Sequence, residues 1–320
     1  MGRVFLIRDR RRRRVVRRLS LCAGLAAFAL VAPWSVNDRF GKARSSGTAQ
    51  AADALPQLPA GEGTLYPDGL RAGRGPFPVA TLVAPDRGEG IAASLPAIAI
   101  CIDDMGGNSE GTAKAMALPP DVTLAFLPYA STTPVLAVQA KAMGHEILAH
   151  VPMEPIGPSD PGPKALKVGA PDNAERLAWA LSRVPGLSGI NNHEGSKFSS
   201  DYTSLLPVVQ MLAERRLFFF DSRTIAASQI VRASHRNGVE SAGRDVFLDN
   251  VLGARAVRAR LDELVTKAKK SGVAIAIGHP HGVTMRVLAD WLREDHGVRL
   301  VPVSEAIRLK SERSAIIAAR

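Results

Sequence analysis

The chain has 320 residues, of which 46% are hydrophobic and only 5% aromatic, and its formal net charge is +11. This length and hydrophobic content provide a core large enough for one large domain or two ordinary ones, which excludes an intrinsically disordered protein. The low aromatic content disfavours an aromatic-rich β-sandwich and a nucleic-acid surface built on base stacking.

The positive charge is concentrated at the N terminus. Residues 1–18 contain nine arginines and one aspartate, a net charge of +8, so that +11 − 8 leaves only +3 for the remainder. A basic block directly before an apolar segment is typical of the signal that stays in the cytoplasm while the following chain crosses a membrane. We therefore expect no nucleic-acid partner.

The apolar segment at 19–34, LSLCAGLAAFALVAPW, follows the basic block. It has the length of a signal-peptide core and is shorter than the roughly 20 residues of a comfortable membrane span. Residues 1–34 are therefore predicted to be a signal peptide or an uncleaved signal anchor that contacts the cytoplasmic membrane. The rest of the protein is expected to be periplasmic or otherwise extracytoplasmic, either secreted or anchored in the inner membrane by residues 19–34.

Composition divides the remaining chain into three parts. Residues 35–95 are rich in Gly, Ala, Pro and Ser with little periodicity, which predicts a flexible linker. Residues 96–309 are predicted to be the single folded domain, and 310–320 a C-terminal tail. No intramolecular disulfide is expected, because Cys22 lies in the membrane segment and Cys101 in a buried strand.

The folded part alternates predicted strands and helices at the spacing of βα units. The predicted strands are 98–103, 122–128, 145–153, 189–196, 217–224, 245–249, 273–280 and 299–305, and the helices are 110–117, 133–143, 173–183, 203–214, 226–237, 254–270 and 284–294. This alternation predicts an α/β fold of about seven parallel strands closed into a (β/α) barrel. A doubly wound open sheet is the alternative.

The first strand carries the clearest functional pattern. Its apolar run, 98–102, ends at Asp103 and Asp104 and is followed by two glycines. Ligands bind at the carboxyl ends of parallel strands, and two charges at that place need a cation, a proton or a substrate. The structural alternative is that one aspartate caps the following helix.

Polar residues also end the other predicted strands, and parallel strands bring such residues to one crevice. They are Asp103, Asp104, His150, Glu154, Asn191, Asn192, His193, Glu194, Ser196, Asp221, Ser222, Arg223, Thr224, Asp249, His279 and His281. Among them, Asn191, Asn192, Ser196 and His281 are predicted substrate contacts.

His150 and Glu154 are spaced so that a tight turn after the strand brings both side chains to one metal beside Asp104. An aspartate, a histidine and a glutamate together suit Zn²⁺. His150 taken on its own is better explained as a core histidine bonded to a backbone carbonyl. His193 is predicted to lie in an irregular loop, as a further ligand or as a substrate contact.

Two further groups have catalytic and structural interpretations. Arg223, two residues after Asp221, is the expected partner of that buried carboxylate, either at a catalytic site or as a purely structural ion pair. His279 is placed to act as a general acid, whereas the alternative is that Gly278 and Pro280 simply form a turn around it.

Five segments together carry a family resemblance: IAICIDDMG, GHEILAHVPMEP, GINNHEGSKFSSD, FFFDSRT and AIAIGHP. In this order they resemble the divergent polysaccharide deacetylase family, a YibQ-like branch of the NodB-type carbohydrate esterases, over roughly residues 97–304. The resemblance implies a barrel of the glycoside hydrolase/deacetylase type, a divalent metal and hydrolytic removal of acetyl groups from N-acetylated sugars.

The resemblance also implies roles for individual residues. Asp103 matches the catalytic base, Asp104 a metal ligand, His279 the acid and Asp221 a residue that supports the catalytic groups. His150 matches the first histidine of the family's H-x-x-x-H metal motif, but Glu154 stands at the second. His193 is implied as a replacement ligand.

Two functions follow from this sequence. The first is a metal-dependent hydrolase that deacetylates envelope or extracellular polysaccharide. The second is a catalytically inactive, membrane-tethered carbohydrate-binding barrel with a role in organising the envelope. The first is the working hypothesis, and the glutamate in the metal motif and the lack of an aromatic platform for long glycans keep the second open as the alternative.

Overall fold

The computed structural model describes residues 95–318, so the predicted signal, nearly all of the predicted linker and the last two residues lie outside the described part of the chain. Its strands are β1 Ala97–Met105, β2 Thr123–Phe126, β3 Ile147–Met153, β4 Gly189–Glu194, β5 Phe218–Asp221, β6 Ser241–Gly243, β7 Val246–Phe247, β8 Val273–Gly278 and β9 Arg299–Leu300. Its α-helices are α1 Ser109–Met116, α2 Thr133–Ala142, α3 Asn173–Ser182, α4 Tyr202–Glu214, α5 Ile230–Arg236, α6 Ala254–Ser271, α7 Gly282–Trp291 and α8 Val303–Ala318. Residues that the sequence assigns to a tail from 310 onward therefore continue α8.

The strands form one parallel sheet in the order β6-β5-β4-β3-β2-β1-β8-β7, with β9 paired to the start of β1. The two edge strands, β6 and β7, are separated in the chain only by Arg244 and Asp245. The amide of Arg244 donates to Asp221 of β5 at 3.0 Å, and the amide of Asp245 donates to Ile275 of β8 at 2.8 Å. The sheet therefore curls into a half-barrel, and the two-residue connection keeps its edge strands close although they do not pair with each other. This confirms the barrel type of fold predicted from sequence and not the open-sheet alternative, but without the full closure that was expected.

Two apolar clusters follow from the alternation of side chains along the strands. On β1, Ile98, Ile100 and Ile102 pack outward against the helices, whereas Ala97, Ala99 and Cys101 face the interior of the curled sheet. Small residues suffice there because Phe218 and Phe220 of β5 and the first turns of α8 fill the same space. The interior is thus filled near the start of β1, and the carboxyl ends of the strands are left to the polar residues.

Within residues 95–318, no helix combines the length and the apolar character that a membrane span requires.

Candidate metal centre

An irregularity at the end of β1 brings two adjacent carboxylates to one cavity. Ile102 pairs with Leu124 and Met105 with Phe126, so β1 has one more residue than β2 between these pairs. Asp104 adopts a φ of +57°, in the left-handed region that non-glycine residues rarely occupy. In a regular strand neighbouring side chains point to opposite faces, but this bulge lets both Asp103 and Asp104 line the same cavity.

Three side chains converge at this point from three strands. Asp104 Oδ1 lies 3.4 Å from His150 Nε2 and 3.2 Å from His193 Nδ1, and the two histidine nitrogens are 3.1 Å apart. We call Asp104, His150 and His193 the Asp-His-His triad. The triad spans neighbouring strands because β3 and β4 pair in parallel next to each other, with Pro152 opposite His193.

A buried asparagine determines which nitrogen of His150 faces the triad. Asn191 is fully buried, its amide nitrogen donates to Asp103 Oδ1 at 2.8 Å, and its oxygen lies 2.8 Å from His150 Nδ1. The oxygen only accepts, so His150 must carry its proton on Nδ1, which leaves the lone pair of Nε2 directed at Asp104 and His193.

The donor set fits a divalent cation. Asp104 Oδ1 is buried and has no hydrogen-bond partner among residues 95–318, which is costly for a carboxylate oxygen unless a cation binds it. Oxygen and imidazole nitrogen are ligands that Zn²⁺ prefers, and catalytic zinc sites commonly use three protein ligands. The Asp-His-His triad therefore could hold such an ion.

The charges around the triad are mutually stabilising. Burial raises the pKa of Asp104, but the nearby ring nitrogens and the charges of His150 and His193 outweigh it and lower the pKa below the ordinary range. Burial lowers the pKa of His150, but the negative charges of Asp103 and Asp104 outweigh it and raise that pKa. Asp104 is therefore ionised at neutral pH, as a metal ligand must be.

Glu154 does not join the triad, which corrects its assignment as a ligand. Its Oε1 is 2.6 Å from Lys197 Nζ, and its Oε2 accepts the amide of Val168 at 2.8 Å. The expected tight turn is absent because β3 continues through Pro152 to Met153. Four residues of strand place Glu154 about 13 Å along the chain from His150.

Asp103 is buried beside the triad. Its Oδ1 accepts from Asn191 and lies 3.3 Å from Cys101 Sγ, and its Oδ2 is 3.7 Å from His150 Nε2. The carboxylate is thus held on one oxygen while the other lies toward the Asp-His-His triad. This arrangement is compatible with the predicted role as base.

His279 borders the same cavity and is held by Asp249, a residue that the sequence placed at a strand end without a role. His279 Nδ1 is 2.9 Å from Asp249 Oδ1, and Asp249 Oδ2 accepts the amide of His279 and the hydroxyl of Thr284. Burial lowers the pKa of His279, but the hydrogen bond to Asp249 and the charges of Asp103, Asp249 and Asp104 raise it to about 9. His279 is therefore protonated at neutral pH.

The expected Asp221–Arg223 ion pair is absent from residues 95–318. Asp221 instead accepts the backbone amide of Arg223 at 2.8 Å. Strand β5 ends at Asp221 and Arg223 has a φ of +50°, so the two side chains do not project from one strand face as predicted. The Asp221 carboxylate is buried, which raises its pKa, and the Arg223 side chain lines the cavity.

The four predicted substrate contacts lie in different surroundings. Asn191 is buried between Asp103 and His150 and does not line the cavity, so that assignment is corrected. Asn192 borders the cavity, but its oxygen accepts the amide of Ser222. Ser196 accepts the amide of Ile156 and lies outside the cavity wall. His281 is exposed and borders a smaller cavity of about 230 Å³ beside Asp104, His193 and His279.

Of the two cavities that border the triad, the larger, here called the main cavity, has a volume of about 520 Å³. Its walls include polar and aromatic residues that the sequence did not single out, namely Arg244, Phe247 and Asn250. Arg244 and Phe247 come from the short segment where the chain changes sheet partner between β6 and β7. Nothing in the periodicity of that segment indicates a site.

The chain matches the family described as divergent polysaccharide deacetylase over residues 100–307. It is 36% identical over 193 residues to the uncharacterized protein YibQ of Escherichia coli K12, and the match covers 60% of each chain. It is 34% identical over 198 residues to an uncharacterized protein of Haemophilus influenzae Rd, covering 61% of this chain and 71% of that one. The chain thus matches less than two thirds of the length of the E. coli relative.

A solved structure has a similar fold. It is the crystal structure of the uncharacterized protein ATU2773 from Agrobacterium tumefaciens C58, with a TM-score of 0.64 and 29% sequence identity. The match covers 67% of this chain and 90% of that protein. The curled parallel sheet is therefore shared with a relative of known structure.

Proposed function

The chain belongs to the divergent polysaccharide deacetylase family, and on that premise we propose that it is a metal-dependent hydrolase. The proposed reaction removes acetyl groups from N-acetylated sugars of an envelope or extracellular polysaccharide. The observation that carries the proposal is the Asp-His-His triad, whose ligand atoms lie 3.1 to 3.4 Å apart.

Asp104, His150 and His193 would hold the ion, and zinc is the best match to this set of one oxygen and two nitrogen donors. A divalent cation here supplies Lewis acidity toward the acetyl carbonyl and increases the acidity of a water molecule. The other steps are assigned to side chains of the protein.

Asp103 is the proposed base. Its Oδ1 is fixed by Asn191, and its Oδ2 lies near the triad, where the attacking water must approach the substrate. A carboxylate is a weak base at neutral pH, so a nearby acidified water is what makes it adequate. Asp103 therefore accepts the proton of the nucleophilic water.

His279 is the proposed acid. It lines both the main and the smaller cavity beside Asp104, and Asp249 keeps it protonated at neutral pH. As the bond between the acetyl carbon and the sugar nitrogen breaks, His279 donates a proton to the departing nitrogen. The products are acetate and a free amino sugar.

Residues 1–34 are the basis for the proposed place of action. A basic block followed by an apolar segment favours export, so we propose that the domain acts in the periplasm or another extracytoplasmic space. A reporter enzyme that folds only outside the cytoplasm, fused after residue 95, should be active. An inactive fusion that is well expressed would contradict this location.

Acetate release tests the proposed reaction. Zinc-loaded protein should release acetate from N-acetylated chitooligosaccharides or peptidoglycan fragments, lose the activity with a chelator and regain it with zinc. A His235→Gln variant, altered at an exposed position of α5, is the control and should behave like the wild type. No acetate from zinc-loaded protein, or release that is insensitive to the chelator, would overturn the proposal.

A further inference from the structure

Two arginines line the same cavity as the Asp-His-His triad. Neither Arg223 nor Arg244 lies within 4 Å of a carboxylate oxygen in the part of the chain from 95 to 318. Other arginines of the domain do have such partners, for example Arg176 with Asp172 at 2.8 Å. The two cavity arginines are therefore positive charges that the fold leaves without an acidic side chain.

The backbone of Arg223 is held in a costly conformation. Its φ of +50° lies in the left-handed region, which is unfavourable for a non-glycine residue. The Asp221 carboxylate accepts its amide at 2.8 Å, and Arg244 Nη2 donates to its carbonyl at 3.1 Å. Strain that is fixed from both sides is typical of a residue whose side chain must be presented in one place.

The side chain of Arg223 also has a groove to lie in. A Cβ atom built on Gly243 would come within 2.2 Å of Arg223 Nε, so the guanidinium passes directly over this glycine. Any larger residue at 243 would displace it. Gly243 lines an adjoining cavity of about 560 Å³ that Arg223 borders as well, so the side chain of Arg223 lies at both cavities.

Arg244 reinforces this arrangement. Its Nε donates to the carbonyl of Ser222 at 2.8 Å and its Nη2 to that of Arg223, so it clamps the segment that carries Arg223. Its Nη1 has no hydrogen-bond partner among the described residues. Arg244 thus fixes Arg223 and adds a second positive charge to the wall.

Asp103 and Asp221 lie close enough for their charges to act on Arg244, but no carboxylate pairs directly with either guanidinium among the described residues. Asp103 is bonded to Asn191, and Asp104 lies against the two histidines of the triad. Glu194 also borders the cavity, but farther than 4 Å from either guanidinium. An arginine fork matches a carboxylate or a phosphate in two parallel hydrogen bonds, so a ligand of that chemistry would complete the wall.

We propose that Arg223, positioned by Arg244 and Gly243, binds an anionic group of the sugar substrate, a carboxylate or a phosphate. This inference rests on the proposed function, since it places the anion on the same molecule that carries the acetyl group. It makes the preferred substrate an acidic N-acetylated sugar instead of a neutral one.

Binding can be measured without turnover. Calorimetric titration of the zinc-loaded protein would compare N-acetylglucosamine with N-acetylmuramic acid, which adds a carboxylate, and with N-acetylglucosamine 6-phosphate. We expect at least one acidic sugar to bind about tenfold more tightly than the neutral sugar. The acidic sugar that gains affinity identifies carboxylate or phosphate as the recognised group.

Two variants locate the preference. Arg223→Gln should abolish it, whereas Arg236→Gln, which removes the same charge from an exposed position of α5, should retain it. Equal affinity for acidic and neutral sugars, no binding of either acidic sugar at millimolar concentration, or a preference that persists in Arg223→Gln would overturn the inference. The last result would place the anion at the metal or at His279.

The outcome is separable from that of the hydrolysis experiment. A preference for acidic sugars without acetate release would preserve the anion site and contradict the hydrolase. Acetate release from a neutral sugar, together with equal affinity for acidic and neutral sugars, would support the hydrolase and contradict the anion site.

Discussion

The side-chain oxygen of Asn191 lies 2.8 Å from Nδ1 of His150. The amide nitrogen of the same side chain donates to Asp103 at an equal distance. One buried residue therefore orients both a proposed metal ligand and the proposed base, and it does so from the strand next to that of the ligand.

Replacing Asn191 by alanine should weaken metal binding. The variant leaves His150 without the partner that fixes its tautomer, and loss of such outer-sphere partners typically lowers metal affinity about 10- to 100-fold. Titration against a competing chelator measures the effect. Asn250→Ala, at an exposed position of the cavity wall, is the control and should bind as the wild type does. An Asn191→Ala affinity equal to the wild type would mean that the asparagine is only structural.

Alanine substitutions of His193 and of Glu154 should have opposite effects on zinc binding. His193→Ala should lose stoichiometric zinc because it removes one of three converging ligand atoms. Glu154→Ala should retain zinc, since its carboxylate binds Lys197 and the amide of Val168, and should lose no more than about 1 kcal/mol of unfolding free energy. Metal analysis of the two purified proteins compares them directly. Zinc retained by the first and lost by the second would reinstate the ligand set predicted from sequence.

Replacing Asp103 by asparagine should separate metal binding from catalysis. The shape is conserved and the triad is intact, so zinc content should stay the same, while acetate release should fall about 10²- to 10⁴-fold with the loss of the base. Glu194→Gln, another carboxylate on the cavity wall, should leave the rate within a few-fold of the wild type. If only Glu194→Gln lost activity, the assignment of Asp103 as the base would be wrong.

His279 should titrate near pH 9 in the metal-free protein, as followed by NMR of its imidazole. Its folded pKa is raised from 6.5, so its contribution to stability is fully present below about pH 6.5 and is lost as the pH rises through about 9. The loss amounts to at most about 3 kcal/mol. Urea unfolding measured across this pH range should show a smaller decline of the unfolding free energy in His279→Gln than in the wild type. A pKa near 6.5 would contradict the link to Asp249.

Much of the fold follows from the sequence. Strands and helices alternate from β1 to α5 and again from β7 onward, and most of the polar residues that end those strands meet at one edge. The connection from β6 to β7 could not be predicted, because only two residues separate the strands and each strand has three residues or fewer. Here the chain changes from pairing with β5 to pairing with β8, through backbone hydrogen bonds of Arg244 and Asp245. Such hydrogen bonds produce no periodic pattern in the sequence.

The site was predictable in composition but not in connectivity. Asp104, His150 and His193 stand out as polar residues after apolar strands. The choice between Glu154 and His193 depends on whether β3 turns or continues after His150, and a proline within a strand gives the wrong indication. The bridging role of Asn191 depends on the register between β3 and β4, which a single sequence does not specify.

Anomalous X-ray scattering at the zinc edge, from crystals of zinc-loaded protein, tests the metal site most directly. We predict one strong peak, from a zinc ion bound by Asp104 Oδ1, His150 Nε2 and His193 Nδ1. No peak at the triad, or a peak held instead by Asp249, His279 and His281, would contradict it.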